Sequence, residues 1–364
     1  MVQFDPTWAS NSSNQHLVPN TYLKAWSNNN TDVYYIEKNE MNIDFKQKNF
    51  QKNTKRLTTV KEFYTRNVYT SFDEADDLKK IFLPLKSKKY SVIYNKKEIG
   101  SFEELKKEFH DFDSWEIYKP KNVLISNKEK AKLKKEIEEV KIRDIEEAWN
   151  RMFENSWPNT RETIEEAVML NQGATIINAV KREELIKFMV AIEWRTFPPH
   201  PEILRQFNKL INILGIEKTL NEPVDKEERY LSIVSTIGEY YLHEIILKNF
   251  YKFFHNKGSI YAAYTHIYKN MDIELLIPES GYEFITSDNP INIFTNSNNE
   301  IEYIFPITPV LACAVRNNRN DLDIEKYRVT TYSKDKVITL NENIKNSCYR
   351  GYIIRKPDLK SYFK

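Results

Sequence analysis

The chain reads as an α+β fold, with a central helical layer packed on a C-terminal antiparallel sheet that also receives the N-terminal strands. Three observations predict this. Apolar residues recur at helical spacing from about 128 to about 270. After Gly258 the period switches to two, and breaker-rich turns separate the short segments. The opening 70 or so residues hold one helix and two strands, too little core to stand alone, so they must pack on something later.

Val18, Tyr22 and Trp26 recur at i, i+4 and i+8, which predicts a short helix over 18–27. Asn28-Asn29-Asn30 turns the chain into a strand over 32–38. β-Branched and aromatic residues over 49–65, ending at Phe63-Tyr64, predict a second strand. Residues 72–140 differ in character. They hold a strand over 90–95, a turn at Asn95-Lys96-Lys97, and a helix from Ser101, where Ser101 and Glu104 form a capping-box signature. Lysine is dense there, but glutamate is interleaved at helical spacing, as in Glu136 and Glu139 facing Lys132 and Lys135. That pattern suits a solvated helical surface better than a nucleic-acid face.

Residues 129–155 predict one long helix or two abutting ones, stopped by Trp157-Pro158. A strongly apolar helix over 182–197 closes at Pro198-Pro199, and 201–216 and 230–255 continue the helical layer. The last is apolar round most of its circumference, so it belongs in the core. Strand candidates then run over 272–279, 282–288, 291–295, 302–308, 311–316, 327–333, 336–340 and 349–356, with a turn at Ser297-Asn298-Asn299. The organisation expected is a helix/strand unit 1–71, an inserted α+β lobe 72–141, and a main domain that joins 142–364 to the first unit.

Composition narrows the function. The 54 Lys+Arg against 52 Asp+Glu leave a net charge of +2, which excludes a broad basic footprint for nucleic acid but not a local basic groove. Only 7 glycines occur in 364 residues, and none forms a Walker or dinucleotide phosphate loop. Cys313 and Cys348 are too few for a disulfide framework or a cysteine-rich zinc site, and they read as small buried hydrophobes. The start MVQFDPTWASNSSNQ lacks a basic region followed by an apolar core, and no run of 18 apolar residues appears. A cytoplasmic protein that does not enter membranes is therefore expected.

Four places put polar residues in segments that otherwise look buried. His16, at the mouth of the first helix, suits an acid, a base or a ligand; it equally suits a ring that satisfies a backbone carbonyl. Arg195-Thr196 ends the apolar helix, where the guanidinium either pairs structurally or forms a fork for phosphate or carboxylate. Asp288, in FITSDNPI, sits at a strand end that could hold a carboxylate rigidly, although Asp-Asn-Pro is also an ordinary turn. Asn341, in ITLNENIKN, follows a strand and can be explained as the cap of a short helix. The six histidines show no pair at metal-ligand spacing, and a mixed set such as His16, Asp288 and Glu154 has no support from spacing. No nucleophile-elbow sequence is present.

The ordered set QHLVPNTYLKAW, VAIEWRTFP, FITSDNPI, FPITP and LNENI, followed by YRGYII, resembles the bacterial domain-of-unknown-function family 4238. The helix 145–155, with Glu147 and Glu154 on one face, also fits. Phe197 stands between Arg195-Thr196 and Pro198, a one-residue departure from the Arg-Thr-Pro expected there. The resemblance covers about 14–70 and 142–356, leaving 72–140 as an insertion suited to reading a substrate or partner. It carries no settled activity, but it implies a role in anti-phage defence.

Two functions follow as expectations. One is a hydrolase, acting on nucleic acid or nucleotides at a focused site. Its catalytic residues would be His16, Asp288 and Asn289; Arg195, Thr196, Asn341 and Glu154 would bind substrate, without a metal, and its cofactor needs stay open. The other is a non-catalytic sensor or binding module, in which the same polar set is a structural hydrogen-bond network. Self-association through the aromatic-rich helix 230–255 is compatible with either.

Overall fold

The computed structural model describes residues 14–40, 43–70, 75–225, 229, 231, 233–295, 301–317 and 323–363. The Ser297-Asn298-Asn299 turn and the first thirteen residues lie outside them. The chain divides into two compact units, one formed by Met1–Phe63 with Glu147–Lys364 and the other by Tyr64–Glu146.

The smaller unit has a four-stranded antiparallel sheet in the order Lys97–Ile99, Ser91–Tyr94, Glu116–Lys119, Val123–Leu124. Val92 and Ile117 from its strands share an apolar core with Leu105, Phe112, Trp115 and Leu133. Ser101 and Glu104 form the expected capping box, and Ser126 with Glu129 repeats it at the helix Asn127–Glu138. Surface lysines there pair with carboxylates, among them Lys97 with Glu104 and Lys119 with Glu129. Exposed pairs of this kind add little stability, but they leave that surface solvated and electrically mixed.

The larger unit is built on a six-stranded sheet in the order Asn292–Thr295, Ile301–Thr308, Leu311–Asn317, Met271–Pro278, Lys326–Tyr332, Ile176–Asn178. Its pairs are antiparallel except Met271–Pro278 with Lys326–Tyr332, which run parallel. The N-terminal strands do not extend this sheet. Asp32–Glu37 and Gln51–Asn53 join the C-terminal strand Gly351–Ile354 and the short Thr286–Ser287 in a four-stranded sheet of their own. Asn14–His16 pairs with Thr59–Lys61, so His16 lies opposite Thr59.

The helix Arg182–Arg195 is buried continuously from Phe188 to Arg195, which explains its apolar sequence. The helix Ile237–Phe254 starts at a Thr236–Glu239 capping box, several residues after the position expected for it.

Four local readings are corrected. The period of two does not start after Gly258, because Gly258–Asn270 is a helix and the first strand beyond it is Met271–Pro278. Trp157-Pro158 opens the helix Trp157–Leu170 instead of stopping one, because a first-turn proline loses no hydrogen bond that the helix would have made. Residues 336–340 are not a strand but part of the helix Lys334–Ser347. Val337, Leu340, Asn341 and Ile344 recur there on its buried face, and that period outweighs the β-branched content. Of the strand expected over 282–288, only Thr286–Ser287 forms.

Candidate functional site

His16 ends the first strand just before the short helix Asn20–Leu23, and its ring is half-buried. Nε2 lies 3.3 Å from the Thr54 carbonyl oxygen. A carbonyl can only accept, so Nε2 carries a proton, and the Lys55 backbone is a second hydrogen-bond partner of the ring. Burial pushes the imidazole below its ordinary 6.5; the Glu154 charge opposes that shift and the Arg195 charge adds to it. His16 is therefore mostly neutral at pH 7, the state of a proton acceptor.

Glu154 closes a π-helical turn, Asn150–Glu154. Such turns shift the side-chain register within a helix and recur at functional positions. Arg195 comes from the last turn of the buried helix Arg182–Arg195. Its Nη1 donates to Glu154 Oε1 at 3.1 Å, and its guanidinium carbon lies 4.5 Å from the centre of the Trp149 ring. Arg195 is 3% exposed and Glu154 14%, so of the two the carboxylate is the more open to an incoming molecule. His16, Glu154 and Arg195 thus converge from sequence positions far apart.

Thr196, next in the chain, donates its hydroxyl to Asn289 Oδ1 at 2.9 Å. That bond ties the end of the buried helix to the Ser-Asp-Asn-Pro turn. The Ser287 hydroxyl stabilises the same turn, donating to the Asn289 carbonyl at 2.7 Å and accepting from the Asn289 N–H at 3.1 Å.

Asp288 faces elsewhere. Its carboxylate accepts from the backbone N–H groups of Tyr349, Arg350 and Gly351 at 2.7–3.0 Å. The Tyr35 hydroxyl approaches at 3.4 Å. Burial raises its pKa to about 6, against the pull of those donors. Gly351 is required here by close approach. A Cβ on it would lie 2.5 Å from Tyr35 Cζ and 2.6 Å from the Ile36 carbonyl oxygen.

Asn341 lies inside the helix Lys334–Ser347 and does not cap it. It is fully buried, accepts from the Ile285 N–H at 3.0 Å, and donates to the carbonyls of Glu283 and Tyr362 at 2.8 and 3.1 Å. The seven expected residues therefore fall into separate settings. His16 lies within electrostatic reach of the hydrogen-bonded Glu154–Arg195 pair, and Thr196, next to Arg195, bonds Asn289. Asp288 and Asn341 are each sealed among backbone partners. No three His, Cys, Asp or Glu side chains gather as metal ligands among the described residues.

Sequence reasoning missed three neighbours. Asn20 Oδ1 and Thr21 Oγ1 are buried without a hydrogen-bond partner, an unfavourable state that a bound polar group would relieve. Two adjacent polar residues in the buried-looking run HLVPNTYL were the signal for them. Trp149, which stacks on Arg195, carried no such signal, since an aromatic residue in a helix reads as core.

A family model described as "Protein of unknown function (DUF4238)" matches residues 14–358. Comparison with curated proteins finds no match, and neither does comparison with solved structures. Among the described residues, no helix is long and apolar enough to cross a membrane.

Proposed function

The chain belongs to the DUF4238 family, and we propose that His16, Glu154 and Arg195 form a hydrolytic site acting on nucleotides or nucleic acid. The observation that carries this reading is a half-buried imidazole, its pKa lowered by burial, within electrostatic reach of a hydrogen-bonded carboxylate–guanidinium pair. In this reading His16 takes a proton from water as the water oxygen attacks phosphorus. The new P–O bond forms while the bond to the leaving oxygen breaks, and that oxygen takes a proton from solvent. The Arg195 charge, nearly sealed behind Glu154, offsets the charge on the phosphoryl oxygens through space, and Glu154 holds the guanidinium in place. Thr196 and Asn289 are positioning residues that keep the helix end against its turn.

The biological setting proposed is anti-phage defence, which the family resemblance implies. Purified wild type is to be assayed against a panel of nucleotides, single-stranded RNA and duplex DNA, beside His16→Ala and Glu154→Gln. Loss of turnover in both variants, with protection against phage lost in parallel in cells, supports the reading. Full turnover in both rejects it.

One specific observation favours a second reading, a non-catalytic binding module. Asp288 and Asn341 are saturated with backbone partners, as members of a structural network are. Under that reading no substrate in the panel is turned over by any form of the protein.

A further inference from the structure

Trp149 and Glu154 stand five residues apart on one stretch of helix, and both reach Arg195. In an α-helix, residues five apart point about 140° away from one another, so a regular helix would offer Arg195 only one of the two. The π turn Asn150–Glu154 removes that conflict. Its Asn155 N–H donates to the Asn150 carbonyl at 3.0 Å, an i→i+5 bond that sets residue i+5 over residue i. The Ser156 hydroxyl supports the irregular turn by donating to the Phe153 carbonyl at 3.1 Å.

The two contacts on Arg195 differ in kind. Glu154 accepts from Nη1 at 3.1 Å, and the guanidinium carbon lies over the Trp149 ring, 4.5 Å from its centre. A single hydrogen bond sets a distance, whereas a ring face beneath a cation also sets where the charge sits. That attraction strengthens as water is excluded, and here Arg195 and Trp149 are both buried. The ring is itself fixed. Phe153, Phe250 and Phe254 stand with centroids 5.1–5.3 Å from it, the last two edge-on.

We propose that Trp149 is a positioning residue of the site: it holds the Arg195 charge in place beside Glu154 and within electrostatic reach of His16, and the π turn brings it to that face. The ring is 2% exposed, so it acts through Arg195 and not on a substrate. The inference rests on the hydrolytic reading for the reaction that the placed charge serves.

Two substitutions in the full chain test it, each protein assayed well below its own unfolding midpoint. Trp149→Leu keeps apolar bulk and removes the ring face, and Trp149→Phe keeps a smaller ring. The His16 titration, followed by NMR without substrate, is the readout that a merely structural tryptophan would leave in place. The Arg195 charge adds to the lowering of the His16 pKa, so releasing it should move that titration up in Trp149→Leu, and by less in Trp149→Phe. On the substrate that wild type hydrolyses best, kcat should fall about tenfold in Trp149→Leu with KM little changed, and by less in Trp149→Phe. A titration that stays in place in Trp149→Leu overturns the proposal, whether or not turnover falls. If Trp149→Leu fails to fold, the titration of Trp149→Phe decides in the same way. A titration that moves in a protein without turnover would reject the hydrolytic site and keep the role of Trp149; turnover with an unmoved titration would do the reverse.

Discussion

Arg195 and Glu154, 41 residues apart in sequence, form a 3.1 Å hydrogen-bonded ion pair between the end of a buried helix and a π turn. The guanidinium is nearly sealed, so removing Glu154 takes from a buried charge the carboxylate that pairs with it. Glu154→Ala should therefore destabilise the protein by about 3–5 kcal/mol. Arg195→Lys should cost a large part of that, since an ammonium loses both the fork and the planar stack on Trp149. Urea denaturation followed by tryptophan fluorescence reads both values, and a change under 1 kcal/mol in Glu154→Ala would contradict the account.

Asp288 gives a pH signature of opposite sign to most carboxylates. Its pKa rises from 3.8 to about 6 on folding, so between those values the folded protein binds more protons than the unfolded chain. The stabilisation is fully present below 3.8 and is lost as the pH climbs through about 6. The change amounts to about 3 kcal/mol over that window. Wild type should lose stability relative to Asp288→Asn across the window; parallel pH profiles for the two proteins would count against the buried carboxylate.

Asn341 holds three backbone groups at once, from residues 283, 285 and 362. Asn341→Ala strands all three in the interior and should cost about 3 kcal/mol, within the range for unmade buried hydrogen bonds. Asn341→Asp should be no better, because an ionised carboxylate replaces the amide that donates to two carbonyls. The measurement is the shift in the unfolding midpoint, and a neutral Asn341→Ala would remove the structural role assigned here.

The contrast between His16 and Asp288 shows what could be read from the chain and what could not. Both stand out as polar residues in buried-looking segments, and periodicity places both at element ends. Their roles divide on partners that sequence does not reveal. Asp288 is filled by three N–H groups from residues 349–351, whereas His16 meets a glutamate and an arginine brought in by a π turn and a distant helix. The helical period of Arg182–Arg195 carried through to the structure, whereas the period of two begins only at Met271, after the helix Gly258–Asn270. Short β-branched runs failed, because residues 336–340 satisfy strand propensity locally while the surrounding apolar spacing is helical.

The lowered pKa of His16 sets the shape of the pH–rate profile. A base must be unprotonated, so turnover should rise through a value below 6.5 and then level off towards neutrality. Glu154→Gln removes the charge that opposes the shift, so the His16 titration in that variant, followed by NMR, should move still lower. A His16 titration that stays in place would separate Glu154 from His16 electrostatically.

The most direct measurement compares turnover by wild type and His16→Ala on the substrate that wild type hydrolyses best, with both proteins matched for unfolding midpoint. The account predicts a loss of about 10²–10⁴-fold, the usual contribution of a positioned general base. Equal turnover by two equally folded proteins would contradict it.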